Sequence, residues 1–419
     1  MLRGDHATTA DADDWRRAAA AARAEGLESW LQRRLARTAA AVSDEVREGV
    51  RAACVGITAR ALALASELAA ILRALAVNGI ACAPLRGAAL AERVWDDACA
   101  RPAGDIDLLV RRADLDAVEA TLHALGYRGV DRRRGFAREF SYTLELARDA
   151  HGGVVVEPHW TLAYPPFADA LDMARVWARC RSGRVVGEPA PLLAPEALLL
   201  NLCLHVVHKA PDVPLLWLAD IDRLVRRETD AIDWDELVAL ARGAGVGGQV
   251  AAALRRVASL LATPLPPDLG ETLGVANPAA LDRLLVEGAD VDGRESLALL
   301  FALGGIRRRV RYAATLLFPS PAFMTMEYGV TGPGPLARAY GRRARHLLWE
   351  GVRGTARLLR HPRLLRHPRL LHHISAIYKE GTPCTRSTRS STLNATPPPA
   401  SSSTASTRTT KSRCTTSCG

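Results

Sequence analysis

Apolar positions recur at helical spacing from Asp14 to Val77, in a stretch rich in Ala, Leu, Arg and Glu that only Gly26, Gly49 and Gly56 interrupt. The pattern predicts several helices there. The period then changes. Gly79 to Gly87, GIACAPLRG, is a short apolar run entered and left through glycine, which predicts a strand ending in a tight loop. A helix from Ala88 to about Trp95 should follow. Asp105 to Val110, DIDLLV, predicts a strand headed by acids, and Asp114 to Leu125 a helix with Asp114 near its N-cap. Phe140 to Leu146 alternates as a strand would, and Gly153 to Trp160, GVVVEPHW, is rich enough in β-branched residues to be another.

These elements predict an α/β core, a mixed sheet with flanking helices, over residues 79–190, preceded by a helical N-terminal region, 1–78. Beyond Pro195 the helical period returns in EALLLNLCLHVVHK, in LLWLADIDRLVRR and in a helix opening at Asp233-Trp234, so residues 195–305 are expected to be a helical domain. Residues 306–380 form arginine-rich helical stretches broken by Pro319-Ser-Pro321 and by GPGP at 332–335. They end in a tandem RHPRLL from Arg360, too short a repeat for a solenoid. From Gly381 the chain turns to Ser, Thr, Pro and Arg, with Leu393 its one large aliphatic residue. The segment 381–419 is expected to be disordered, because it can bury nothing that offsets the entropy of ordering. The abruptness of the change is what a shifted reading frame would produce.

A chain of 419 residues, 48% hydrophobic, can bury two or three domain cores. Its longest apolar stretch, 59–77, is broken by Arg60, Glu67 and Arg73 and is expected to be an amphipathic helix rather than a membrane span. Met1 to Trp15 carries four aspartates and no apolar segment, so no secretory signal is expected and the cytoplasm is the default location. The eight cysteines show no CxxC pair and no disulfide framework and are expected to be reduced thiols. The net charge of +10 is uneven: residues 306–380 carry fourteen arginines and one lysine against three glutamates, whereas 1–305 are net acidic. The basic segment could meet phosphates, a nucleic acid or an acidic partner, or it could be a solvated helical face.

Side chains two apart on a strand share a face, so Asp105 and Asp107 can enter one site while Ile106 and Leu108 pack behind them. With Glu157 from a second strand they would make a three-carboxylate group suited to a hard cation such as Mg2+ or Mn2+. The spacing by itself is common. With 45 acids in the chain, acid-x-acid should occur roughly five times by chance, and Asp114/Asp116, Asp220/Asp222 and Asp233/Asp235 are such cases. Context separates Asp105/Asp107: a glycine precedes the pair, an apolar strand follows it, and an independent strand supplies the third acid. The competing reading is a pair of acids capping a strand end. No GxxxxGK[ST] loop and no GxSxG elbow is present, which argues against a P-loop NTPase and an α/β-hydrolase.

PLRGAALAERVW, RPAGDIDLLV and VVVEPHW, in that order, resemble the nucleotidyltransferase superfamily, specifically the bacterial nucleotidyltransferase family 5 group. LCLHVVHK, WLADIDRL, the following IDW and LLFPSPAFMTMEYG extend the resemblance to about residues 60–330. It implies a nucleotidyltransferase-like core and the transfer of a nucleoside monophosphate from an NTP, ATP among them. The acceptor would be a small molecule, a peptide, a protein or an RNA end. It implies that Asp105, Asp107 and Glu157 are metal-binding catalytic carboxylates and that Gly87 is the loop glycine near the phosphates. Three departures stand out. The usual Gly-Ser or Gly-Gly pair is Gly87-Ala88 here; Arg86 stands where Lys is common; and the gap from Gly87 to Asp105 is longer than usual. Two other functions remain open beside catalysis: a non-catalytic binding module with this fold, and a toxin-like RNA-modifying transferase.

Arg86 and Arg101 are the candidate phosphate partners; Arg is a fork where Lys is a point charge. His159, two residues after Glu157 on the same strand face, could orient a ligand or acceptor, or be a hydrogen-bonded structural histidine. His205 and His208 can share a helix face. With no further zinc ligands in sight, helix packing or hydrogen bonding is the expected role of this pair.

Overall fold

The computed structural model of the protein describes residues 12–37, 42–95, 100–130, 133, 135–149, 153–165, 167–210, 213–274, 299–300, 303 and 305–360. The chain opens with three helices, α1 (Ala12–Ala24), α2 (Glu28–Arg37) and the long α3 (Asp44–Val77), whose first turn is capped by Ser43 Oγ accepting from Val46 N. β1 (Cys82–Pro84) follows, then α4 (Ala88–Val94), β2 (Ile106–Val110), a three-ten turn (Arg112–Asp114), α5 (Leu115–Ala124) and β3 (Arg128–Gly129). After the short α6 (Phe136–Phe140) come β4 (Leu146–Arg148), β5 (Val154–His159), α7 (Met173–Ala178) and a hairpin of β6 (Arg181–Val185) and β7 (Glu188–Leu192). The second half is helical: α8 (Pro195–Lys209), α9 (Leu215–Arg227), α10 (Trp234–Gly243), α11 (Gly247–Leu261), α12 (Leu269–Thr272), α13 (Ile306–Leu317), α14 (Pro321–Tyr328) and α15 (Pro333–Arg360).

Among the described residues, β1 to β5 form one sheet in the order β1-β2-β5-β4-β3. The pair β2/β5 is parallel; the other three are antiparallel. The sheet is therefore the mixed one expected. Strand alternation gives it two working faces. Cys82, Ile106, Leu108, Val110, Leu146, Val154 and Val156 join Leu64, Leu68, Ile71, Leu72 and Leu75 of α3 and Val118 and Leu122 of α5 in one core. Ala83 and Leu109, on the opposite side, belong to a larger core built from α8 to α11 and from Trp15, Leu31 and Leu35.

α3 contributes to both cores: Val46, Val50 and Cys54 lie in the helical one, and Leu64 to Leu75 in the sheet one. By length and composition this helix is apolar enough to cross a membrane, with a mean hydropathy of 1.6 over its best 18 residues. This departs from the expectation that Arg60, Glu67 and Arg73 would rule such a stretch out. Here the apolar face is packed, and Glu67 is buried as the acceptor of the Tyr127 hydroxyl and the ion-pair partner of Arg148.

Two expectations change in detail, and one element is new. Phe140 to Leu146 is not one strand. Phe140 ends α6, where it packs on Phe136 one turn earlier and on Tyr312, and only Leu146 onward enters β4. The β4/β5 ladder stops at Val156, two residues before Pro158, which offers no N–H; Leu144 N still donates to Pro158 O, and Thr143 bridges His159. Asp114 provides no side-chain cap, because a three-ten turn leads into α5. The β6/β7 hairpin was not expected; its tight turn has Val186 and Gly187 at positive φ. From Pro195 to Thr272 the described elements are the helices α8 to α12. Residues 275–298, the RHPRLL repeat after Arg360 and the tail 381–419 lie outside the described residues.

Candidate active site

The parallel pair β2/β5 places Asp107 directly opposite Glu157 and Leu109 opposite His159. Because Ile106, Leu108 and Val156 are committed to the core under α3, alternation turns Asp107, Glu157 and His159 to the other face. The three offer ligand atoms that all lie within 4.8 Å of one another. His159 Nε2 is 3.0 Å from Asp107 Oδ1 and 3.6 Å from Glu157 Oε2. Asp107 and His159 are buried, while the Glu157 side chain keeps 26% of its surface exposed, so the group opens to solvent on the Glu157 side. Asp105, two residues earlier and just before the strand, stands beside this group rather than inside it. The tight cluster is thus Asp107, Glu157 and His159, with Asp105 as the neighbouring carboxylate.

Arg86, expected as a phosphate partner, forks onto Asp107: Nε donates to Oδ2 at 2.9 Å and Nη2 to Oδ1, while Nη1 reaches Asn201 Oδ1 at 3.4 Å. Burial opposes the charge on Asp107, but Arg86 and the hydrogen bond from His159 outweigh it and hold the carboxyl well below the usual range. Asp105 has no such fork. Burial first, then the charges of Asp107 and Glu157, push it up to about 7. Burial works against the charged form of His159, yet its bonds to Asp107 and Glu157 raise its pKa. The two aspartates of the DID motif therefore sit in opposite electrostatic states.

Local structure holds the strand ends in place. Gly87 has φ 60° and ψ −128°, a conformation that needs glycine, and it turns the chain from β1 into α4. A Cβ there would meet only ordinary contacts with Asp105 O and Ala103, so the backbone and not space makes the demand. Arg60 of α3 donates through Nη2 to Gly104 O (3.0 Å) and to Gly153 O (2.7 Å). One guanidinium thus ties together the two loops that enter β2 and β5.

α8 closes the site from the helical half. Asn201, His205 and His208 lie at i, i+4 and i+7, on one helix face. Asn201 meets Arg86; His205 packs on Trp217 with centroids 4.2 Å apart; His208 stacks on Tyr164 at 4.5 Å and meets Tyr142 edge-on at 5.9 Å. Tyr142 in turn lies against His159 at 5.4 Å. Burial, then the positive charge of Arg86, keeps His205 well below the usual histidine range, and burial followed by Glu157 pushes the Tyr142 hydroxyl up. The packing role expected for the two histidines agrees with these contacts. Asn201 and Tyr142 were missed, although the N-x3-H-x2-H spacing was a legible signal for the first.

Arg101, the other expected phosphate partner, is spent elsewhere. Its Nε and Nη2 donate to Asp220 at 2.8–3.0 Å, its Nη1 donates to Pro102 O, and both side chains are buried. It contributes only a distant positive charge to Asp105. In the three other acid-x-acid pairs named above the acids have structural partners: Asp222 binds Arg226 and Thr263, Asp233 caps α10 through Glu236 N, and Asp116 pairs with Arg138. In the basic segment, Arg308 reaches Asp169 and Glu139 O, Arg311 pairs with Glu139, and Arg343 donates to Leu316 O. Part of that charge is therefore balanced within the chain.

Two carboxylates and an imidazole, with a third carboxylate adjacent, fit a divalent cation: the oxygens suit a hard ion, and the nitrogen is tolerated by first-row metals. Against known proteins, the profile of a family described as uncharacterised nucleotidyltransferase matches residues 11–262. No curated protein matches. The solution structure of the antibiotic-resistance factor ANT(2'')-Ia is similar at 20% identity over 48% of this chain and 95% of that one, with a TM-score of 0.31. The family match spans more than half of the chain and contains the whole Asp105, Asp107, Glu157 and His159 constellation, and the protein belongs to this family of nucleotidyltransferases.

Proposed function

We propose that the protein moves a nucleoside monophosphate from an NTP, ATP being a candidate, to an acceptor hydroxyl or phosphate, with Mg2+ or Mn2+ held by Asp107 and Glu157 and aided by Asp105. The observation that carries this reading is the parallel register that sets Asp107 against Glu157 on one face, with His159 Nε2 hydrogen-bonded to Asp107 and 3.6 Å from Glu157. When bound, the metal ion supplies charge neutralisation at the transferring phosphorus and lowers the pKa of an attacking oxygen.

The residues do the positioning. The acceptor oxygen forms a bond to the α-phosphorus as the bond to the leaving pyrophosphate breaks, and its proton goes to a carboxylate. Glu157, the solvent-facing acid, is placed for that proton. His159 fixes the Asp107 carboxylate through Oδ1, and the Arg86 guanidinium supplies positive charge for the departing phosphates. Gly87 brings the backbone close to them without a side chain in the way.

Calorimetric titration of each NTP into the full chain with Mg2+, beside Asp107→Asn and Glu157→Gln, tests the reading. Binding that needs the metal and vanishes in both variants is expected. Folded protein that binds no NTP would replace it with a non-catalytic module, a reading that Ala88, which lacks the usual loop hydroxyl, favours. The acceptor is open to the same small-molecule, peptide, protein and RNA classes. Salt-sensitive RNA binding by the 306–380 segment would point to RNA.

A further inference from the structure

The fork between Arg86 and Asp107 uses both oxygens of the carboxylate on which the metal reading depends. Oδ2 takes Arg86 Nε; Oδ1 takes Arg86 Nη2 and His159 Nε2. Both side chains are almost fully buried, at 9% and 2% exposure, so water does little to screen them from each other. A guanidinium and a divalent cation are both positive. They cannot share one buried carboxylate without strong repulsion, so Arg86 must leave Asp107, or rotate one donor off it, before the carboxylate can take a metal ion. The guanidinium then needs another acceptor. Asn201 Oδ1, already 3.4 Å from Nη1, is neutral and offers one bond. A phosphate offers the anionic, two-oxygen surface that matches the fork.

We propose that Arg86 is an internal counter-ion which occupies Asp107 until a nucleotide triphosphate draws it away, so that metal and nucleotide enter the site cooperatively and the metal alone binds weakly. This rests on the metal-dependent nucleotide reading above and adds a rule for how the site fills. Asn201 serves as the pivot: it anchors Nη1 from the helical half, so the guanidinium can swing between Asp107 and a phosphate without losing all its partners. Because coupling is reciprocal, the nucleotide raises the metal's affinity by the same factor as the metal raises the nucleotide's.

The test measures Mn2+ bound to the full chain by equilibrium dialysis, with and without a saturating non-hydrolysable NTP analogue bridged by methylene between the α- and β-phosphorus. It uses wild type, Arg86→Gln and Arg86→Lys, and circular dichroism establishes that each is folded. Wild type should bind Mn2+ at least about tenfold more tightly with the analogue than without it. Arg86→Gln, with Asp107 released, should bind Mn2+ alone about tenfold more tightly than wild type and lose most of the analogue's effect. Arg86→Lys, a point charge that cannot cover both oxygens, should fall between them.

Wild type that binds Mn2+ equally well with and without the analogue overturns the proposal by itself, even if Arg86→Gln does not fold. A folded Arg86→Gln that binds Mn2+ no better than wild type also overturns it. No Mn2+ bound by any of the three proteins under either condition is a different failure: it removes the metal-dependent reading itself, and the counter-ion role with it.

Discussion

Among the described residues, two buried arginine–aspartate forks do opposite things. Arg101 and Asp220 are 5% and 1% exposed, Arg86 and Asp107 9% and 2%, and in both pairs the guanidinium meets both carboxylate oxygens. The difference is in what surrounds the acid. Among the described residues Asp220 is met by donors, Arg101 and the Trp95 indole N–H at 2.8 Å. Asp107 shares its oxygen with His159 and has the carboxyl groups of Glu157 and Asp105 as titratable neighbours. A closed fork between helix and loop is a staple. The same fork set among further titratable groups is a site, because its charge balance can be rearranged by a ligand.

That contrast can be broken by mutation, and the staple should give the largest effect. Arg101→Met leaves Asp220 buried without its counter-ion and should lower unfolding free energy by about 3–5 kcal/mol in a denaturant titration, while Arg101→Met/Asp220→Leu should recover most of it. If Arg101→Met were nearly neutral in stability and instead abolished nucleotide binding, the assignment of the two forks would have to be exchanged. Glu157→Gln should do the reverse, removing metal-dependent nucleotide binding while changing stability by less than about 1 kcal/mol, as its side chain is partly solvated. Arg60→Ala, which frees the loops before β2 and β5, should cost about 1 kcal/mol and weaken metal binding without eliminating it.

Proton linkage sharpens the comparison further. Asp105 has its pKa raised in the folded state to about 7 from an ordinary 3.8. In that interval the folded protein binds the extra proton and the unfolded chain does not, so stability falls as pH rises. His159 is also raised, and adds to the loss above the ordinary histidine range. His205, held well below its ordinary range, works the other way up to that range, so the Asp105 share is read as a difference: in chelator, between about pH 4 and pH 7, the thermal midpoint of Asp105→Asn should fall less steeply with pH than that of wild type. An unchanged slope in the variant would show that Asp105 is not held in the electrostatic state described.

The sequence carried the site strands more clearly than their partners. DIDLLV and GVVVEPHW have the alternation that turns Asp107 and Glu157 away from a hydrophobic face, and the carboxylates were legible from it. Arg86 and Arg101 were not separable. Each is an arginine in a loop near a glycine or proline, and what distinguishes them is the acid each finds, 21 and 119 residues further along the chain. Nothing local encodes that choice. Phe140 was misplaced for a related reason: its alternation with Tyr142 and Leu144 suits a strand, but aromatic contacts with Phe136 and Tyr312 hold it in a helix. His159 showed its strand position without showing that its Nε2 bonds Asp107 and lies within 3.6 Å of Glu157.

The continuity of α3 has a consequence for how the protein fails. Its first half is built into the core of the helical region and its second half into the core beneath the carboxylate strands. Neither region can melt alone without stripping apolar surface from half of a helix that the other still needs, so the two should lose structure in one cooperative transition. A destabilising change deep among α8 to α11, far from any phosphate, then reduces the fraction of molecules with an assembled carboxylate site, and would register as lost activity without touching the chemistry.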